Sequence, residues 1–135
     1  MYVEELEKTL GEALLEPTRI YVKAIHACMK KANIHGIAHI TGGGFIENIP
    51  RIIPDGLCAQ VELLRCPTHP IFDLLQQTGD LDRMEMYNIF NMGVGMVVVV
   101  PEKEAETALT ALRESGEKAQ VIGRIVKGET KVELI

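Results

Sequence analysis

The sequence has no tryptophan and few aromatic residues of any kind, 4% of 135 residues. Alanine, valine, isoleucine and leucine are therefore expected to fill the interior. Its three cysteines, Cys28, Cys58 and Cys66, are odd in number and form no C-x-x-C pair. That pattern excludes a complete disulfide framework and a zinc knuckle, and it predicts reduced thiols and a cytoplasmic location. No apolar run approaches the roughly 18 residues of a membrane span and no signal-peptide pattern opens the chain, so a soluble protein is expected. Positive charge is also scarce. Fourteen Lys and Arg face nineteen Asp and Glu, a net charge of -5, which argues against broad nucleic-acid binding because neutralising many phosphates needs clustered cations. Any phosphate recognised here is bound locally.

What is present is an ordinary globular composition, 47% hydrophobic and 24% charged, in a length that suits one domain over residues 1–135. Tyr2 to Glu16 reads as a frayed helix interrupted by Gly11, and Thr18 to Val22 as a short strand after Pro17. A helix follows with Val22, Ile25, Met29 and Ala32 on its apolar face and Asn33 as its cap. Pro54-Asp55-Gly56 marks a tight turn before a strand from Leu57 to Leu64. Pro70 opens a helix with an Ile71, Leu74, Leu75 stripe that ends at Gly79, and Asp82 caps another through Phe90. Met96 to Val100 is apolar enough to be a central strand buried on both faces. Pro101 opens the clearest helix, with Ala105, Ala108, Leu109 and Leu112 at helical spacing and Gly116 as its stop. Ala119 to Val126 and Lys131 to Ile135 read as a terminal hairpin turning at Lys127-Gly128. The alternation predicts an α+β fold, a mixed sheet with packed helices.

The stretch from His35 to Arg51, HGIAHITGGGFIENIPR, holds the main functional signal. It reads as strand, glycine loop and a short helix stopped by Pro50. Three consecutive glycines imply unusual dihedrals or a close approach by something. One reading is an anion cradle: main-chain amides of Gly42, Gly43 and Gly44, the Thr41 hydroxyl, the Asn48 amide and the Arg51 guanidinium around a phosphate. The other is a tight crossing with no ligand. The stretch is neither G-x-x-x-x-G-K-[ST] nor G-x-G-x-x-G, so no nucleotide class follows from it. His35 and His39 lie four apart, but with no H-E-x-x-H and no third ligand nearby, no metal is predicted. His26 and His69 read as structural. His39 and Asn91 are candidate substrate contacts, while Gly93 and Gly95 are read equally as packing or as ligand glycines. No carboxylate pair stands out as an acid and base, so catalytic residues are left unassigned.

Three blocks in order, LLEPTRIYVK from Leu14, HGIAHITGGGFIENIPR from His35 and EMYNIFNMGVGM from Glu85, resemble the C-terminal domain of the phosphoribosylformylglycinamidine cyclo-ligase family, also called aminoimidazole ribonucleotide synthetase. The resemblance covers nearly the whole chain from about Leu10. It implies an α+β domain with partial likeness to ferredoxin-like topology. It also implies a part in purine biosynthesis: ATP activates the formamide oxygen of formylglycinamidine ribonucleotide, an amidine nitrogen attacks, and the imidazole ring of 5-aminoimidazole ribonucleotide closes with release of phosphate. ATP and Mg2+ are the implied cofactors, bound mainly by an N-terminal half that has no counterpart here, and a homodimer is the implied assembly. The family's Ser-Gly-x-His-Ser-Asn-Gly segment is also absent. Alone, the chain is expected to be catalytically silent and to expose apolar surface that favours self-association. The alternatives are a stand-alone module that binds a phosphorylated metabolite, and a domain of a related ATP-dependent enzyme.

Overall fold

A computed structural model describes all 135 residues. The chain starts with a two-residue pairing, β1 (Tyr2–Val3) on β2 (Lys8–Thr9), folded over a 3-10 turn at Glu4–Leu6 in which Glu7 takes a left-handed conformation (φ 53°). Helix α1 (Leu10–Leu14) begins only at Thr9, whose hydroxyl accepts from the Glu12 N–H while the Glu12 carboxylate accepts from the Thr9 N–H. This reciprocal capping box replaces the frayed helix expected from Tyr2, because it fixes the helix start late. Residues 16–21 then run without any strand partner, so the strand expected over Thr18 to Val22 does not form.

Helix α2 (Val22–Met29) buries Ala24 and Cys28, with Ala32 just beyond it, and leaves Val22 and Met29 more than half exposed. The buried face is thus rotated from the one that the larger side chains predict. The reason is its partner. These small residues pack against Ala108, Ala111 and Leu112 in one of the two cores, and small side chains let two helix backbones approach closely.

Strand β3 (Gly36–His39) leads through the glycine bend to α3 (Gly44–Asn48) and a 3-10 turn at Ile49–Ile52. Pro50 stops the α-helix as predicted. After the Pro54-Asp55-Gly56 turn, where Gly56 has φ +80°, comes β4 (Leu57–Val61). Helices α4 (Pro70–Gly79) and α5 (Arg83–Ile89) follow; the Asp82 carboxylate accepts from the Met84 N–H at 2.8 Å. Strand β5 (Met96–Val99) pairs antiparallel with β3 and with nothing else. It is therefore not central in a sheet. Its apolar run serves two interiors instead, Val97 packing on the larger core and Val98 and Val100 on the smaller.

Helix α6 (Ala105–Glu114) buries Ala108, Leu109, Ala111 and Leu112. Strands β6 (Gly123–Lys127) and β7 (Val132–Leu134) do not form the expected hairpin. Both pair with β4, in the order β6-β4-β7, antiparallel and parallel respectively. The connection crosses the start of β4, and Gly128 makes room, since a β-carbon there would come within 2.9 Å of the Cys58 β-carbon. The result is an α+β fold with three small sheets and a larger core in which Phe45, Ile40 and Ile49 are almost fully buried. That core clamps the glycine bend. No helix is long and apolar enough to cross a membrane.

Candidate functional site

The three glycines of the bend do three different things. Gly42 has open space around it, with nothing within 4 Å of where a β-carbon would stand. Gly43 turns the chain through φ +92°, and the Glu47 side chain folds against it. Gly44, at φ +56°, presses its α-carbon onto the carbonyls of Tyr87 and Phe90. Only glycine satisfies both the dihedral and the contact there. The Gly44 N–H donates to the Thr41 carbonyl and the Glu47 N–H to the Gly43 carbonyl, whereas the Gly42 and Gly43 N–H groups enter no backbone hydrogen bond.

Asn48 explains how the bend keeps its shape. Its side chain is buried, 3% exposed, and its Nδ2 donates to the carbonyls of Gly44 at 2.9 Å, Gly42 at 3.2 Å and Thr41 at 3.4 Å. The amide nitrogen is spent on the loop itself. Asn48 therefore shapes the bend from behind. Arg51 lies on the 3-10 turn after α3, exposed, in no ion pair and outside the cavity described next.

Beside the bend lies a cavity of about 1120 Å³. His39, Ile40, Thr41 and Gly42 form one wall, and Phe90, Asn91, Gly93 and Gly95 another; the His69–Phe72 segment, residues from Glu16 to Tyr21 and the N-terminal Glu4–Lys8 turn contribute most of the remainder. Of the residues singled out from sequence, Thr41, Gly42, His39 and Asn91 meet in this one space. His35 does not. It faces Asn33 at 3.1 Å, at the other end of β3. Asn91 spends its Oδ1 on the Gly93 N–H at 2.9 Å, which holds the left-handed Met92 and Gly93 in a tight turn and leaves its amide nitrogen for other partners. Both cations in the lining are already paired: Arg19 with Glu117 at 2.8 Å, Lys8 with Glu16 at 3.4 Å. No group of three His, Cys, Asp or Glu is placed to hold a metal ion.

Sequence reasoning placed Tyr21 in a strand and read His69 as structural, and singled out neither for the site. Tyr21 lies with its ring edge over Gly95, 6.1 Å from the His39 ring and edge-on to it. Burial pushes its hydroxyl above the ordinary ionisation near 10, and the Glu117 carboxylate adds to the rise, so it stays a protonated donor. His69 occupies the space that a side chain on Gly93 would need. The signal was the pair of glycines in N-M-G-V-G, each paired with a ring distant in sequence.

A family model described as AIR synthase related protein, C-terminal domain, matches residues 2–135. The chain belongs to that family. Among its curated relatives, the phosphoribosylformylglycinamidine cyclo-ligase of Bacillus mycoides (strain KBAB4) is 57% identical over 123 residues, which is 91% of this chain and 36% of that protein. The Bacillus cereus (strain B4264) protein of the same name is 55% identical over an equal span. The chain thus spans about a third of the length of the curated relatives it matches. The resemblance carried by the three sequence blocks is borne out, and so is the α+β class.

Proposed function

We propose that this chain is the ribonucleotide-anchoring part of an ATP-dependent cyclo-ligase, the enzyme that closes the imidazole ring of 5-aminoimidazole ribonucleotide from formylglycinamidine ribonucleotide. The observation that carries the reading is the opening of Thr41 and Gly42 into the cavity, with the Gly42 and Gly43 N–H groups outside the backbone ladder. In this reading Thr41, Gly42 and Gly43 hold the ribose 5-phosphate, Gly44 and Asn48 fix the bend, and Arg51 adds the one positive charge of the group. His39 and Asn91 orient the part of the substrate that reacts.

ATP with Mg2+, held mainly by the remainder of the longer enzyme, would supply the phosphoryl group that turns the formamide oxygen into a leaving group, so that the amidine nitrogen bonding to the formyl carbon would expel that oxygen as inorganic phosphate. That remainder, an N-terminal domain, is the partner, and the assembled enzyme is a homodimer. The chain alone does not turn over. A cytoplasmic address fits its three free, buried cysteines. To test the reading, the chain is mixed with a separately expressed N-terminal part of a Bacillus relative and assayed for ring closure with ATP. Restored turnover is expected. A folded, stably associated mixture with no turnover would overturn the enzymatic reading.

A further inference from the structure

A carboxyl or amide side chain of Asp or Asn closes onto the next peptide nitrogen only where three conditions meet. The following residue must present no side chain to block the approach, its N–H must be free of hydrogen bonds, and the attacked group must stand in water. Of the four aspartates and four asparagines, seven are followed by Ile, Leu, Met or Arg. Only Asp55 is followed by glycine.

The structure meets the other two conditions at the same place. Asp55 and Gly56 form the middle of the turn before β4, which the Leu57 N–H closes by donating to the Pro54 carbonyl at 3.3 Å. The Asp55 side chain is 98% exposed. Gly56, at φ +80°, has nothing within 4 Å of where a β-carbon would stand, and its N–H donates to no acceptor in the chain. The Asp55 carboxylate has one partner, the Lys131 ammonium at 3.0 Å, in a pair too open to water to hold it firmly. Other aspartates are better protected: the Asp82 carboxylate caps α5, and Asp73 lies within α4.

We propose that Asp55-Gly56 is a site of spontaneous modification, at which the peptide link isomerises to isoaspartate through a succinimide. The Gly56 nitrogen bonds to the Asp55 side-chain carboxyl carbon, and the hydroxyl of that carboxyl leaves with the amide proton as one water. A second water then opens the ring. Addition at the side-chain carbonyl breaks the new C–N bond and restores aspartate, whereas addition at the main-chain carbonyl breaks the original peptide bond and leaves Gly56 joined through the side chain. No oxidant, metal or co-reactant other than water takes part.

The isomer carries one more methylene in its main chain and a free α-carboxylate in the turn. The insertion falls inside the Leu57-to-Pro54 turn bond and beside the Gly56 carbonyl, which accepts from the Gly128 N–H at 3.1 Å and so ties the β6-to-β7 connection to the start of β4. Because β4 carries both β6 and β7, the isomerised chain should be less stable.

The test is incubation of the 135-residue chain for several weeks at neutral pH in heavy-oxygen water, followed by peptide mapping with fragmentation that separates isoaspartate from aspartate. Heavy oxygen and isoaspartate are expected at position 55 and not at Asp73, Asp80 or Asp82, with a lowered urea midpoint in the isomerised fraction. Exposed turns open at almost no cost, so the folded chain should react within about tenfold of the unfolded one. Asp55→Glu keeps the charge but needs a six-membered ring that closes slowly, and it should abolish the label. Asp55→Asn should quicken the reaction by releasing ammonia instead of water. Label at position 55 in the unfolded chain alone, or an Asp55→Asn chain that keeps its amide while folded, would show that the turn holds the Gly56 nitrogen out of reach and would overturn the proposal. Label spread evenly over all four aspartates would overturn it as well.

Discussion

Gly44 lies so close to the backbone of α5 that a β-carbon on it would overlap the carbonyl oxygen of Tyr87. The contact joins the glycine bend to the larger core, because Phe45 and Tyr87 then stack at 6.0 Å, both almost fully buried. The bend is rigid at one end and open at the other, where Gly42 borders the cavity.

Gly44→Ala should therefore destabilise the fold by about 2–4 kcal/mol, since the obstacle is backbone and φ is positive. Gly42→Ala meets no obstacle and should stay within about 1 kcal/mol of the parent. Urea unfolding of both variants checks the pair. Equal losses would mean that the two glycines share one role.

Asn48→Ala removes a donor shared by three carbonyls in a buried place, so a loss of about 2–3 kcal/mol is expected. Asn48→Asp should cost more near neutral pH than near pH 4. A carboxylate would face three carbonyl oxygens, whereas a protonated carboxyl can still donate to one. Burial and those oxygens raise the folded-state pKa above the unfolded value, so stability falls as pH rises through that window. Chemical denaturation across pH reads the slope, and a slope of opposite sign would contradict the geometry.

Burial pushes the Cys66 thiol from its ordinary value near 9 up to about 11, and burial raises Cys28 as well. Both should resist alkylation by iodoacetamide at pH 8 in the folded chain and react once it is unfolded. The sign for stability follows from the raised folded-state value: the protonated thiol is favoured in the fold, so stability declines as pH climbs from about 9 towards 11. Rapid native-state labelling of either cysteine at pH 8 would contradict its burial.

Arg51→Ala should weaken ribose 5-phosphate binding by about three- to tenfold with little effect on stability, and the loss should shrink as salt is raised. The side chain is exposed and lies outside the cavity lining, so it acts through charge more than through contact. Titrations at two ionic strengths measure this, and unchanged affinity at low salt would remove Arg51 from the anchor.

Local signals in the sequence were legible where one segment decides its own structure. The Pro70 and Asp82 helix starts, the stop at Pro50, the Asp55-Gly56 turn and the apolar face of α6 all follow from residues within a few positions of each other. What was not legible depends on partners far along the chain. The face of α2 was misread because Ala24 and Cys28, small residues that carry little hydrophobic signal, are the ones that meet α6. The terminal hairpin was misread because β4 offers both edges to β6 and β7, a pairing that no local turn encodes. The capping box at Thr9 and Glu12 was present in the letters and passed over. Thr41, Gly42, His39 and Asn91, singled out from sequence, line one cavity, but the distinct tasks of the three glycines depend on Glu47, Tyr87 and Phe90. Tyr21 and His69 became visible only through the glycines that yield to them.

The most direct test of the phosphate cradle is a titration of the uniformly 15N-labelled chain with ribose 5-phosphate, followed by the backbone amide signals of Thr41, Gly42 and Gly43. Saturable shifts concentrated on those three amides are predicted, with the Gly44 amide, already bonded to Thr41, moving least. Shifts absent from the bend, or scattered over exposed lysines instead, would contradict it.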